Sequence, residues 1–415
     1  MDLRKVVRPM PLASDSATLS ARARGLSPSP TMAFDAKAKR LQAEGKDLVN
    51  LTAGEPDFPT VPQAAQAAVA AIAEHFTYYT EAVGIRPLRE AIAAKLRRDN
   101  GLEYAPEDIA VTPGAKFALY AAMQVLLDPG DEVVIGSPYW VSYPEQAKLA
   151  GATPIVVPTE AGDGFVLRAA AIERALTPAS KLLVLNSPCN PTGAVIPPEE
   201  IAAIGAVVLR HPRLHVLSDE IYEKMVYDGA RHVSLAALGP ELRRRTVTIN
   251  GFSKAYSMTG WRVGYTAADR EIARAIGHLL SQTTSNITSV AQKAALGALD
   301  GTEGEVAAMV AEFGRRRQYI LGRLAAMPGV TCGAPGGAFY VFAHIGAALG
   351  RRTAAGTKLI DADAFALALM EEGGLGVVPG SGFGVEGYIR ISYAAGLQTL
   401  ESACDRLELF LRGLR

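Results

Sequence analysis

The feature that most restricts how this chain can fold is a recurrence of short, unbroken apolar runs, each stopping at a polar, turn-forming stretch and separated by helix-length segments. Leu182 to Leu185 stops at N-S-P-C-N-P-T-G, Leu214 to Leu217 at S-D-E-I-Y, and Thr246 to Ile249 at N-G-F-S-K. Between the first two, Glu199 to Arg210 has helical character. Strands that are apolar on both faces and alternate with helices belong in a mainly parallel sheet covered by helices on both sides. Such α/β sheets bind their ligands beyond the carboxyl ends of the strands. Asn190, Asp219, Tyr222 and Lys254 all follow strand ends, so one site can collect them.

The upstream half repeats the pattern. Helices are read over about Thr31 to Lys46, Gln63 to Glu74 and Ile85 to Asp99. Between the first two, D-L-V-N-L-T leads into A-G-E-P-D-F-P-T, a turn-rich segment where backbone at Gly54 can approach a ligand. Two adjacent tyrosines in F-T-Y-Y-T-E-A-V-G, Tyr79 among them, suit packing or an interface. Ile109 to Thr112 is a strand, P-G-A follows, and Lys116 to Leu127 is a helix. A glycine turn there aims free N–H groups and the positive helix end at one point, which suits a phosphate near Gly114, Ala115 and Lys116. It is no Walker loop, because the G-K-S or G-K-T pair is missing. Glu132 to Gly136 is a further strand, and Trp140 just beyond it can be core or can stack on a planar ring.

Past Asp300 the character changes. Gly304 to Met327 reads as a long helix with Arg315, Arg316 and Arg317 on a solvated face, Pro335 to Phe342 as a turn and strand, and Ala362 to Glu372 as a helix. In G-Y-I-R-I-S-Y, alternation puts Tyr388, Arg390 and Ser392 on one face. An arginine inside an apolar strand needs an anion, and its planar fork matches a carboxylate. A chain of 415 residues exceeds what one core usually serves. The expected architecture is therefore α/β, a large domain with a mainly parallel sheet sandwiched by helices plus a smaller α+β domain.

Forty-two basic residues balance 42 acidic ones, which removes the electrostatic footprint of a nucleic-acid binder or a membrane-surface protein and favours small-molecule partners. Three scattered cysteines favour a reducing compartment. No apolar run reaches bilayer length and no signal-peptide core is evident, so the cytoplasm is the expected location.

Within Gly251 to Gly264, G-F-S-K-A-Y-S-M-T-G-W-R-V-G, Lys254 precedes Arg262. Lysine condenses with aldehydes and a positioned arginine holds phosphate. Pyridoxal chemistry needs an amine, an acid near the ring nitrogen, donors to the ring oxygen and an anion cradle. Lys254, Asp219, Asn190 with Tyr222, and the 114–116 turn with Arg262 supply these. No metal site is expected.

On these motifs, together with N-P-T-G, A-G-E-P-D-F and R-I-S-Y, the chain from about Leu19 onward resembles the class I aminotransferases of pyridoxal-phosphate fold type I. The resemblance implies pyridoxal 5'-phosphate held as a Schiff base on Lys254, and Asp219 paired with the ring nitrogen. It implies Asn190 and Tyr222 on the ring oxygen and Trp140 stacked on the ring. Gly114, Ala115, Lys116 and Arg262 would surround the phosphate, with Tyr79 reaching it from the second subunit of a homodimer. Arg390 would clamp the substrate α-carboxylate, Gly54 would contact it through backbone, and Trp140 and Asn190 would border the substrate. Some members carry serine where this chain has Gly251, which leaves the role of Ser253 open.

Within the family, H-P-R-L-H-V-L-S-D-E and the lysine stretch resemble the bacterial-type aspartate aminotransferases and the aspartate/glutamate–prephenate aminotransferases. That resemblance implies Thr31 and Lys116 as receptors for a distal carboxylate. The expected division is residues 1–24 as a loose extension, 25–60 as a segment packed on the small domain, 61–300 as the large domain and 301–415 as the small one. Two other activities stay open on the same scaffold: a cysteine-sulfur β-lyase and an aminotransferase of aromatic or aliphatic specificity. A non-catalytic pyridoxal-binding regulator is a third reading.

Overall fold

The computed structural model describes Lys5–Val6 and residues 18–415. The apolar runs form the centre of an eight-stranded sheet. From one edge its strands are Lys5–Val6, Thr153–Pro158, Glu132–Ser137, Ser180–Asn186, His215–Asp219, Thr246–Gly251, Gly264–Ala267 and Ile109–Thr112. The five central strands from Thr153–Pro158 to Thr246–Gly251 run parallel, and the pairings at either edge are antiparallel.

Why these strands lack polar alternation is visible in their burial. Val133, Ile135, Leu182, Val184, Leu217, Val247 and Ile249 point into one core, whereas Val134, Leu183, Leu185 and Val216 point into another on the opposite face. Successive side chains face opposite ways, and both ways lead under helices. Glu132–Ser137 is flanked by Thr153–Pro158 on one side and Ser180–Asn186 on the other. The chain thus reverses its direction of sheet building there, at the kind of switch point where α/β sheets open a crevice.

A second, four-stranded antiparallel sheet is ordered Thr331–Cys332, Tyr340–His344, Tyr388–Ser392, Val378–Pro379. The helices Glu303–Ala325, Ala362–Glu371 and Leu397–Arg412 accompany it. Upstream chain joins this body: Val49–Asn50 pairs in parallel with Leu375–Gly376, and Phe34, Ala38 and Leu41 of helix Pro30–Ala43 share a core with Phe365, Leu369, Leu400 and Phe410. Most of residues 1–17, which belong to the extension read from the sequence, lie outside the described residues. Ala21–Arg24 is a single helical turn capped by the Ser20 side chain.

Two readings need correction. The helices placed from Thr31, Gln63 and Glu199 begin one residue earlier, at Pro30, Pro62 and Pro198, because proline is pre-organised for the first helical position. The arginine triplet is not on a solvated face. Arg315 is exposed, but Arg316 is buried against Asp57 at 2.7 Å and Arg317 against Asp228 at 2.8 Å. Both lie over aromatic rings, Arg316 near Phe58 and Phe313 and Arg317 near Tyr227, so a helix read as one-sided from its charges buries two of them through partners distant in sequence.

Candidate active site

The loops at the carboxyl ends of the central strands enclose a cavity of about 440 Å³. Thr31, Gly54, Ala115, Lys116, Trp140, Asn190, Asp219, Tyr222, Ser253, Lys254, Arg262 and Arg390 all reach it, so side chains scattered over 360 positions converge as the strand ends required. Gly114 adjoins it through Arg262. Tyr79 is the exception, 89% exposed and outside the lining.

Lys254 stands on the turn that leaves Thr246–Gly251, and its Nζ donates to the Gly54 carbonyl. Burial lowers the Lys254 pKa to about 8; Glu55 opposes this, while Arg390 and Arg262 add to it. About a tenth of the amine is therefore neutral and nucleophilic at pH 7, against less than about a thousandth for an ordinary lysine.

Asp219 is the last residue of its strand. Burial raises its pKa to about 6, against the pull of a hydrogen bond from the Tyr143 hydroxyl at 2.7 Å. Among the described residues this carboxylate has no salt-bridge partner, only the weaker pull of the Lys254 charge, and a protonated ring nitrogen would provide one. The Tyr222 hydroxyl is paired with that of Tyr340 at 2.8 Å.

The anion cradle is built from glycines in contact. Gly264 is packed so tightly on the 114–115 turn that a Cβ there would collide with the Ala115 nitrogen. A Cβ on Gly114, itself at φ +81, would come within 2.6 Å of Arg262 Nη2. Arg262 has φ +57, an unusual left-handed backbone for a side-chain-bearing residue, and its Nη1 donates to the Thr259 carbonyl at 2.9 Å. Helix Ala115–Leu126 starts at Gly114 without a side-chain cap, so its first N–H groups stay available to an anion. The same packing explains Gly251: a Cβ there would stand 2.9 Å from the Gly264 Cα and from the Val263 oxygen, leaving no space for a serine. Ser253, buried and lining the cavity, is the hydroxyl that remains.

Arg390 is 2% exposed in the strand Tyr388–Ser392. It donates to Asn190 Oδ1 at 3.0 Å and to the Thr52 carbonyl at 2.6 Å, and its Nε is buried without a hydrogen-bond partner. The guanidinium lies 4.5 Å from the Tyr340 ring centre. Burial pulls it below the ordinary guanidinium pKa, and no carboxylate offsets that among the described residues.

Lys116 lies 5.0 Å over the Trp140 ring, also without a carboxylate partner among the described residues. Burial, then Arg262, lowers its pKa. Thr31, on the helix that closes this side, shares a hydrogen bond with Ser29 at 2.9 Å. The cavity thus joins a reactive amine, a buried acid, a phosphate cradle and two unneutralised cations, a donor set that fits pyridoxal phosphate with an anionic substrate.

Tyr143 and Tyr340 are contributors that sequence reasoning missed. Tyr143 lay in view three residues after Trp140, a helical spacing that turns both rings toward one place, and the two rings meet edge-on at 5.3 Å. Tyr340 carried no local signal, because its partners Tyr222 and Arg390 come from other elements.

The family model for aminotransferase class I and II matches residues 46–407. An aspartate aminotransferase of Geobacillus stearothermophilus is 47% identical over 95% of this chain and 98% of its own. An aspartate/prephenate aminotransferase of Cereibacter sphaeroides is 45% identical over 93% and 97%. Among solved structures, an aspartate aminotransferase from Thermus thermophilus with maleate superposes with a TM-score of 0.89 at 41% identity, covering 95% of this chain and 99% of that one.

Proposed function

Because the chain belongs to the class I and II aminotransferases, a pyridoxal-phosphate-dependent family, we propose that it moves the amino group between aspartate or glutamate and a 2-oxo acid, oxaloacetate or 2-oxoglutarate, and that prephenate is a further acceptor. The observation that carries this reading is the pair of cations without carboxylate partners among the described residues, the buried Arg390 and the solvent-accessible Lys116, on separate elements of one cavity. Each disfavours a substrate that leaves it unpaired, so a dicarboxylate is preferred over an amino acid with an apolar side chain. The Thermus relative solved with maleate, a four-carbon dicarboxylate, supports the same preference.

When bound, pyridoxal phosphate supplies an aldehyde that exchanges amines and a ring that withdraws electrons from the substrate α-carbon. The 114–116 turn and Arg262 hold its phosphate, and Lys254 holds its carbon end. The Asp219 carboxylate keeps a proton on the ring nitrogen and is itself oriented by Tyr143. Asn190 and Tyr222 face the ring oxygen, and Trp140 covers the ring. Arg390 binds the α-carboxylate while Lys116 and Thr31 take the distal one. Lys254 Nζ would be the base placed to take the proton from the substrate Cα. The protein works in this reading as a homodimer in which Tyr79, exposed in the single chain, meets the neighbouring phosphate.

The test is a panel of single amino acids offered to the purified holoenzyme, with conversion to the pyridoxamine form followed by absorbance. Aspartate and glutamate should convert fastest; faster conversion of aromatic or aliphatic amino acids would overturn the assignment. Arogenate production from prephenate, read by chromatography, tests the second acceptor, and no product above background removes it.

A further inference from the structure

We propose that Glu220 is a positioning residue for Asp219 and Tyr222, acting through a buried polar cluster on the side of the turn away from the cavity. The inference rests on the reading of Asp219 as the acid at the cofactor ring. Asp219 and Tyr222 line the cavity, whereas Glu220 between them is 1% exposed and does not. Its Oε1 accepts from Ser218 Oγ at 2.8 Å, and its Oε2 from Ser234 Oγ at 2.6 Å, His232 Nε2 at 3.1 Å and Asn100 Nδ2 at 3.4 Å. Glu223, three residues on, accepts from Lys95 and from Asn100 Nδ2 at 2.6 Å, and Lys224 pairs with Asp99 at 2.7 Å. Helix Arg86–Asn100 and the 232–234 loop are thereby tied to the two-faced segment 218–224, whose other face is the site.

Glu220, Glu223 and His232 approach within the reach of one metal ion. Lys95 Nζ and the hydroxyl and amide donors give both carboxylates partners, so the cluster is held together without an ion. Buried ionic clusters often add little stability over an apolar filling of the same volume, and in some proteins they fix one arrangement of the chain instead. Here the arrangement fixed is that of a catalytic turn. Glu220 N donates to the Ile249 carbonyl and Glu223 N to the Glu220 carbonyl, both at 2.9 Å, so the carboxylate clamp and the backbone hold the same residue. Removing the Glu220 side chain strands no cation, because Lys95 keeps Glu223 and His232 can release its proton.

The experiment compares Glu220→Ala, Glu220→Gln, Ser234→Ala and Asp219→Ala as holoenzymes, by cofactor titration of the apoproteins and by steady-state kinetics with aspartate. Glu220→Ala should weaken cofactor affinity about tenfold and lower kcat about tenfold, with KM within about twofold, since the carboxylate receptors stand on other elements. Glu220→Gln, which keeps an acceptor for Ser234 and His232, should restore both to within about threefold, and Ser234→Ala should move both in the Ala direction by less. A folded Glu220→Ala protein with parental cofactor affinity and kcat overturns the inference. So does a Gln variant no better than Ala, and, should Glu220→Ala fail to fold, an unaltered Ser234→Ala protein. An Asp219→Ala enzyme with normal cofactor affinity and turnover instead overturns the underlying reading of Asp219, whatever Glu220 does.

Discussion

Arg390 Nη1 donates to Asn190 Oδ1 at 3.0 Å, a bond across 200 positions of sequence that joins the four-stranded sheet to the loop beyond a central strand of the large sheet. On the roles proposed for them, Arg390 at the substrate carboxylate and Asn190 at the cofactor ring oxygen, substrate recognition and cofactor orientation would be coupled through this one contact.

Arg390→Lys keeps the charge but loses the fork that engages Asn190, Thr52 and an incoming carboxylate together. We expect kcat/KM for aspartate to fall about 100-fold, ~3 kcal/mol of lost transition-state binding, while cofactor absorbance stays that of the parent. Steady-state kinetics with a spectrum of each preparation checks this; a loss below about threefold would remove Arg390 from substrate binding.

Lys254, with its pKa near 8, has an accessible neutral amine where an ordinary lysine is almost wholly ammonium. Raising the pH deprotonates it, so the rate at which pyridoxal phosphate attaches to the apoprotein should climb to about pH 8 and then level off. Stopped-flow absorbance across pH 6 to about 10.5 reads the profile; a rate still climbing above about 9.5 would mean that the attachment lysine is unperturbed. Lys254→Ala should show no attachment and no turnover.

Asp219 has the opposite consequence for the protein without cofactor. Its folded pKa, about 6, lies above the ordinary 3.8, so its contribution is fully present below 3.8 and is lost as pH rises through 6. At pH 7.5 the ionised, buried carboxylate then costs up to ~3 kcal/mol. Asp219→Asn should stabilise the apoprotein by about 2 kcal/mol in urea at pH 7.5, with a gain that shrinks toward pH 4, and lower kcat of the holoenzyme about 100-fold or more. Equal apoprotein stability at pH 7.5 would contradict the burial assigned to this group.

Lys116→Ala and Thr31→Val should raise KM for aspartate and glutamate, Lys116 by about 30-fold and Thr31 by about fivefold, with little change for alanine. The ratio of kcat/KM values for aspartate and alanine is the quantity to follow. If it is unchanged in both variants, the distal carboxylate is received elsewhere.

Much of the site was legible because chemistry that depends on backbone position leaves local marks. Gly114 of the 114–116 turn, the lysine loop and the strand-end polar residues could each be placed from neighbours a few positions away. Arg316 and Arg317 were misread for the complementary reason: Asp57 and Asp228, which let them be buried, are remote in sequence. Glu220 went unnoticed for the same cause, since His232, Ser234 and Asn100 give no local sign of meeting it.

By itself, the sequence determined the parallel sheet, the strand ends at which the cavity-lining residues cluster, and the lysine, acid and arginines that the proposed aminotransferase site brings together. Apolar periodicity and turn chemistry are short-range properties, and they are written in consecutive residues. Only the tertiary structure decided that the Tyr143 hydroxyl meets Asp219, that Tyr340 lies between Tyr222 and Arg390, that Gly251 has no space for a side chain, and that Ser218, Ser234, His232 and Asn100 meet on the buried Glu220. Those relations depend on which side chains of different elements meet in a close-packed interior, and packing between elements is not encoded at any one position.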